Sequence, residues 1–472
     1  MENTLKSFFE PSSVAVIGAT TDVGKAGYQI TQNLVGRNFT GRIYPVNPKN
    51  DSIFGLACYP SLSEIPEPVE LIVICIPAPG VPGVFRQAAA RGDVKAAVIV
   101  AAGFSETRIP ERIALEEEVV SIAKKAGIRV FGPNCVGVMN SANNLDTTFA
   151  PPRRQVPGSM SIISQSGSLG ASILMFGGDQ PVPIGYAKWA HVGNMCDVDV
   201  LELLKYYRDD DQTAAIAVYM EGIDNAREFM EVARDVTKTK PIITLKVGRS
   251  DLGSKAAASH TGSLAGSEQI YEGALKQAGV VRVNTIEELL DTAKALSAQP
   301  IPRGNRVCIL TEAGGPGIIA MDEIGLANGA ARLATLSEQT KDKLREILPP
   351  MAIICHPEGY IDMSAAANEE HHALALDVIL ADPGVDSVLL MSVPPSFLEP
   401  NDLAEAVVKV KEKYDKPVLT CLLAGDWVKE ARLIMENNKM PTFDMPERAA
   451  RALINMNKRS AYLRGTQNER SN

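Results

Sequence analysis

Val14-Ala15-Val16-Ile17-Gly18-Ala19-Thr20-Thr21-Asp22-Val23-Gly24-Lys25 is a β-branched run that breaks into a glycine turn, with a helical pattern starting near Tyr28. Glycine where a strand turns into a helix lets the backbone approach a ligand, and the free N–H groups of the helix start favour an anion. The spacing is not G-x-G-x-x-G, so the turn alone leaves a ligand-free strand–helix connection open. The stretch does decide the fold class. A short apolar strand followed by a helix is the unit of a parallel sheet covered on both faces.

The unit repeats along the chain. Residues 43–46, 71–76, 98–100 and 128–131 read as four more buried strands, with helical patterns such as 113–126 between them. Pro151-Pro152-Arg153-Arg154-Gln155-Val156-Pro157-Gly158 breaks the pattern and marks a boundary. A second unit follows, with strands expected at 161–164, 184–187, 215–219 and 242–246. After Gln299-Pro300-Ile301-Pro302-Arg303-Gly304 a third has strands at 307–310, 387–391 and 417–422, then a helical tail at about 447–463. The expected division is 1–150, 156–299 and 303–472: a Rossmann-like domain, then two further flavodoxin-like α/β domains with parallel sheets. The length of 472 residues suits about three domains.

Composition narrows the function. With 47 basic and 56 acidic side chains the net charge is −9, and aromatics are only 5%, which argues against a nucleic-acid binder. Seven cysteines without a CxxC pair exclude a disulfide framework and a zinc ribbon. No apolar run approaches the ~20 residues of a membrane span, and the start does not read as a signal peptide. A cytoplasmic protein is expected.

The second strand of the first unit ends in Asn47-Pro48-Lys49, where an NAD site wants an acidic residue. An amide and a cation suit a phosphorylated ribose, that of coenzyme A or of NADP; a solvated surface lysine is the plain alternative. The turns at Ile76-Pro77 and Gly132-Pro133-Asn134-Cys135-Val136-Gly137 would line the same crevice. Cys135 has no histidine near it in sequence and reads as a small buried thiol.

Lys255-Ala256-Ala257-Ala258-Ser259-His260-Thr261-Gly262-Ser263-Leu264-Ala265-Gly266 places one of only five histidines among small residues, in an expected loop. There an imidazole can approach a reactant without a steric barrier and act as a nucleophile once a carboxylate orients it. The candidate carboxylate is Glu221, at the end of strand 215–219. Ser164-Gln165-Ser166-Gly167-Ser168-Leu169-Gly170 is again strand into helix, a place for a phosphoryl group.

Residues 9–20, 132–137, 164–170, Val192-Gly193-Asn194, 219–223 and 259–266, in that order, resemble the α subunit of ADP-forming acetyl-CoA synthetase, a rearranged relative of succinyl-CoA synthetase. The resemblance implies a reversible reaction in which acyl-CoA, ADP and phosphate give the acid, CoA and ATP through an acyl phosphate and a phosphohistidine. His260 would carry the phosphoryl group, Glu221 would steady it, and Ser166, Gly167 and Ser168 would bind the phosphate. Gly18, Thr20, Thr21, Asp22, Val23, Asn47, Lys49, Pro77, Ala101, Ala102 and Asn134 would match the CoA-contacting positions. No metal ligands are expected in this chain. The nucleotide-binding ATP-grasp part is expected on a separate β subunit, in an α₂β₂ assembly, with Mg²⁺ and ADP or ATP held mainly there.

Two stretches depart from the family's pattern: Cys355-His356-Pro357-Glu358-Gly359-Tyr360-Ile361-Asp362-Met363, and Glu312 in Glu312-Ala313-Gly314-Gly315-Pro316-Gly317, where Asn is common. No motif identifies the acyl pocket, so acetate, propionate, branched, aryl and dicarboxylic acids stay open. The rival readings are an NADP-dependent dehydrogenase, which leaves the His260 stretch without a role, and a CoA- or acyl-CoA-sensing protein, which needs neither His260 nor Glu221. A protein acetyltransferase would want an extension that does not appear.

Overall fold

The computed structural model describes residues 5–152, 154–223, 225–261 and 268–471, with 257–261 and 467–471 described by backbone alone. The chain divides into two compact units, Met1–Thr239 with Lys246–Glu268, and Lys240–Leu245 with Gln269–Asn472.

In the first unit, five parallel strands stand in the order Arg42–Val46, Ser13–Ile17, Leu71–Ile74, Ala96–Ile99, Arg129–Phe131. Ser13–Ile17, Leu71–Ile74 and Ala96–Ile99 are buried at every residue, as strands covered on both faces must be. Their side chains form one core with Phe85 and Ala88 of helix Val81–Arg91 and Val119 and Ala123 of helix Pro110–Ala126. The order reverses between Ser13–Ile17 and Leu71–Ile74, and a ligand crevice opens outside the carboxyl ends of the strands at such a point.

The second sheet of this unit contains Ala215–Met220, Val156–Ser164, Gly185–His191, Val138–Asn140 and Leu145–Asp146, in that order. The first three are parallel; Val138–Asn140 and Leu145–Asp146 are an antiparallel hairpin on the outer side. The chain thus enters the second sheet ahead of the proline-rich run. The crossing is tied back to the first sheet: Asn33, on helix Ala26–Gly36, donates to the carbonyls of Thr148 and Ala150 at 2.8 and 3.0 Å. The strand expected at 184–187 extends to His191, because Lys188 is fully buried against Asp210 at 2.8 Å and so does not end the run.

In the second unit, parallel strands run Tyr360–Asp362, Arg306–Thr311, Ser387–Ser392, Val418–Leu422, Thr442–Phe443, a repeat of the first sheet's winding order. The divergent stretch 355–363 forms a hairpin turn and the strand Tyr360–Asp362, paired antiparallel with Ile353–Ile354. The terminal helix Pro446–Ser471 is held by Arg448, which grips the buried Asp291 carboxylate through two nitrogens at 2.7 and 2.8 Å. Among the described residues no helix is long and apolar enough to cross a membrane.

Candidate active site

The first crevice is built on close backbone approach. Gly18 has φ +91°, and a Cβ there would meet Ile76 at 2.9 Å; a Cβ on Gly27 would fall 2.1 Å from the Gly18 carbonyl oxygen. Helix Ala26–Gly36 therefore seats directly on the turn. Asn47 donates its amide to the Ala19 carbonyl at 2.7 Å and accepts the Lys49 N–H at 2.9 Å, which bonds the end of the second strand to the turn. Thr21, Asp22, Val23 and Lys49 are exposed, and Thr20 is half-buried. The Asp22 carboxylate accepts the Gly24 N–H and pairs with Lys25 at 3.3 Å; that backbone bond and then Lys25 hold its pKa below the usual value. Pro77, Ala101, Ala102 and Asn134 stand just past the other strands of the sheet, and the Asn134 N–H donates to the Ala101 carbonyl at 3.0 Å. The eleven expected positions thus gather at the carboxyl edge of a single sheet.

The second group forms where Val156–Ser164 turns into helix Gly167–Gly178. Ser166 is the N-cap residue and its hydroxyl makes no cap bond; Ser164 does the local work, accepting the Ser166 N–H at 3.2 Å and donating to its carbonyl at 2.7 Å. Ser168 is exposed. Gln165, which the motif reading passed over, accepts the N–H groups of Glu221 and Gly222 at 2.6 and 3.1 Å and donates to the Gly222 carbonyl at 3.1 Å. One amide side chain therefore fixes the backbone of Glu221 to the start of helix Gly167–Gly178.

From Lys255 through Thr261 the small-residue stretch is helical and not a loop, as part of helix Asp251–Thr261. Three consecutive alanines are the strongest helix formers, and Asp251 suits the positive end of the helix dipole. His260 lies in its last turn. The side chain of His260, its pairing with Glu221, and residues 262–267 lie outside the described residues.

A further histidine went unnoticed in the sequence. His191 is buried, accepts the Val136 N–H at Nδ1 at 2.9 Å, and touches the point where a Gly167 Cβ would sit, at 2.9 Å from Cε1. Burial pushes its pKa down to about 4, against a backbone bond to Gln165 that works the other way. Its only sequence signal is position, immediately before the stretch Val192-Gly193-Asn194.

Cys135 is buried with its thiol directed at the Ile99 carbonyl, and burial raises its pKa far above the range of a thiolate nucleophile. In the second unit Glu312 is a buried carboxylate. It accepts from the Ser392 hydroxyl at 2.8 Å and the Val393 N–H at 2.6 Å, and faces His372 Nε2 at 3.0 Å. Among the described residues no cluster of three or more His, Cys, Asp or Glu side chains suits a metal ion.

Residues 12–141 match the family described as a CoA binding domain, and residues 157–296 the family described as a succinyl-CoA ligase like flavodoxin domain. The ADP-forming acetate–CoA ligase II subunit alpha of Pyrococcus furiosus is 44% identical over 452 residues, covering 95% of this chain and 96% of that one. The ADP-forming 4-hydroxybutyrate–CoA ligase of Nitrosopumilus maritimus is 35% identical over 463 residues, 97% of this chain but 64% of that longer protein. A solved dinucleotide forming acetyl-coenzyme A synthetase 1 of Ca. Korarchaeum cryptofilum, in complex with phosphate and ADP, superimposes with a TM-score of 0.89 at 35% identity, over 98% of this chain and 99% of that one.

Proposed function

The chain belongs to the ADP-forming acyl-CoA synthetases of the succinyl-CoA synthetase superfamily, as an α subunit of an enzyme that interconverts acid, CoA and ATP with acyl-CoA, ADP and phosphate, and from that premise we propose how its residues divide the reaction. CoA lies in the first crevice, against Gly18, Thr20 to Val23, Asn47, Lys49, Pro77, Ala101, Ala102 and Asn134. Phosphate attacks the thioester carbonyl of acyl-CoA, releasing CoA and leaving an acyl phosphate held by Ser166, Gly167 and Ser168. An imidazole nitrogen of His260 takes the phosphoryl group and the carboxylic acid departs; ADP then takes it from the phosphohistidine to give ATP and free His260. Glu221 orients the ring and balances its positive charge. Acetate is the acid we assign.

The observation that carries this reading is the Gln165 clamp, which brings the backbone of the candidate carboxylate Glu221 to the start of helix Gly167–Gly178, where the Ser166 hydroxyl makes no cap bond. The nucleotide and its Mg²⁺ are assigned mainly to a separate ATP-grasp β subunit in an α₂β₂ complex in the cytoplasm, since relatives of this length are named subunit alpha. We retain the division 1–150, 156–299 and 303–472 as three functional domains.

The test is phosphoryl labelling. The chain, co-expressed with an ATP-grasp partner, is incubated with γ-labelled Mg-ATP beside His260→Ala and Glu221→Gln. Acid-labile, base-stable label on this chain, lost in His260→Ala and slowed in Glu221→Gln, is the expected result. Equal label in wild type and His260→Ala would overturn the assignment. Acetate, propionate, an aryl acid and a dicarboxylate are then compared by kcat/KM, and acetate is expected to lead.

A further inference from the structure

Strand Gly185–His191 exits into Val192-Gly193-Asn194, a stretch with no part in the reaction as divided above. It lies against the turn that follows the last strand of the first sheet. Gly193 has φ +61°, and a Cβ there would fall 2.2 Å from the Pro133 carbonyl oxygen and 3.0 Å from that of Asn134. The Asn194 N–H donates to the same Pro133 carbonyl at 2.9 Å. The Asn134 corner, itself left-handed at φ +57°, is therefore seated on residues 193 and 194.

Charge orients the Asn194 side chain. Its Nδ2 lies 2.7 Å from Glu106 Oε2, 3.0 Å from Glu116 Oε2 and 3.2 Å from Ser105 Oγ. Carboxylates only accept, so that end of the amide is the NH₂ group and Oδ1 is the opposite end. Both carboxylates are fixed in turn. Glu106 accepts the N–H groups of Gly103 and Phe104 at 2.5 and 3.1 Å, and Glu116 accepts the Ser105 N–H and hydroxyl at 3.2 and 2.8 Å. Oδ1 of Asn194 then takes a hydrogen from Asn134 Nδ2 at 3.5 Å. That bond sets which way the Asn134 amide is turned and uses one of its two hydrogens. Asn134 is exposed at the carboxyl edge, so the second hydrogen serves a ligand in the crevice.

The reacting end of acyl-CoA belongs at this corner. Val136, two residues on, has Cγ2 3.1 Å from where a Gly167 Cβ would sit, and Gly167 opens the helix start assigned to phosphate. A phosphate oxygen held there reaches the thioester carbon only if the carbonyl lies near this meeting point. As the new C–O bond forms, the carbonyl electron pair moves onto oxygen; it returns as the C–S bond breaks and CoA leaves as the thiolate. An N–H donor at that oxygen stabilises the tetrahedral state. We propose that Asn134 Nδ2 is this donor, a catalytic residue, and that Asn194 is the positioning residue that aims it. The proposal rests on the CoA and phosphate readings above and gives Asn134 a task beyond holding CoA.

The complex with an ATP-grasp partner is labelled by two routes: from acetyl-CoA with ³²P-phosphate, which passes through the thioester, and from γ-labelled Mg-ATP, which does not. Asn134→Gly keeps the left-handed backbone without the amide. It is expected to slow the first route about a hundredfold and to leave the second unchanged. Asn194→Ala is expected to slow the first route at least about tenfold, with the KM for acetyl-CoA near wild type, and to add nothing to Asn134→Gly in the double variant. A normal first route in Asn134→Gly, losses that multiply in the double variant, or equal slowing of both routes overturns the proposal. Should Asn194→Ala fail to fold, Asn134→Gly decides alone. A wild-type complex that takes no label from acetyl-CoA and phosphate overturns the proposed function itself.

Discussion

His191 Nδ1 accepts the backbone N–H of Val136 at 2.9 Å, across 55 residues of sequence. The bond ties the turn that carries Asn134 to the strand beside the Ser166 helix start. Its ring must remain neutral, since a proton on Nδ1 would face an N–H donor in a buried site. The folded pKa of about 4 lies below the ordinary 6.5, so the unfolded chain binds the extra proton between those values. The contribution is complete above about pH 6.5 and is lost as pH falls toward 4, about 2 kcal/mol by pH 5. Melting curves of wild type and His191→Asn across that range are expected to converge as pH falls, because Asn keeps an acceptor without titrating. Parallel curves would refute the role.

Gly167 has no room for a side chain. A Cβ would stand 2.9 Å from His191 Cε1 and 3.1 Å from Val136 Cγ2. Gly167→Ala is therefore expected to cost about 1–3 kcal/mol and to shift the helix start, seen as a lower Tm together with a raised KM for phosphate. A lowered Tm with an unchanged KM would separate this glycine from the phosphate site.

Gln165→Ala removes the acceptor shared by the Glu221 and Gly222 N–H groups. The two donors lose about 1–3 kcal/mol if they stay buried, and Glu221 loses its fixed position. The rate of phosphohistidine formation is expected to fall at least about tenfold, with CoA affinity unchanged. A variant with normal phosphorylation kinetics would show that the clamp is structural only.

Glu312 and His372 make a discriminating pair in the second unit. His372 Nδ1 lies 2.7 Å from the Asn368 carbonyl, which only accepts, so Nδ1 carries a proton. Glu312→Gln still accepts from Ser392 and Val393 and offers an N–H to His372 Nε2. Glu312→Leu strands all three partners. The glutamine variant is expected to melt within a few degrees of wild type, and the leucine variant to lose about 3–5 kcal/mol in denaturant titration. Equal losses would indicate that the carboxylate charge, not the acceptor geometry, is what matters.

The sheets and glycine turns were legible because both are local. Apolar runs at 14–17, 71–76 and 98–100 declare buried strands by composition, although the strands observed are Leu71–Ile74 and Ala96–Ile99, and Gly18 declares a backbone that only glycine readily adopts. The helix at 251–261 was legible too, in its alanines, but the rarity of the histidine drew the reading toward a loop. Gln165 and His191 left no such trace. A glutamine beside two serines and a histidine ending a strand are ordinary until the residues they bond, 56 and 55 positions away, are brought to them.

The sequence by itself determined a chain of parallel α/β units with glycine turns at strand ends, since strand burial, helix propensity and glycine φ are properties of neighbours along the backbone. Only the tertiary structure decided that Val138–Asp146 joins the second sheet, that Gln165 holds Glu221, and that His191 bonds Val136. Those pairings depend on which buried donors and rings find partners once the core closes, and an unpaired polar group there costs more than any local preference supplies.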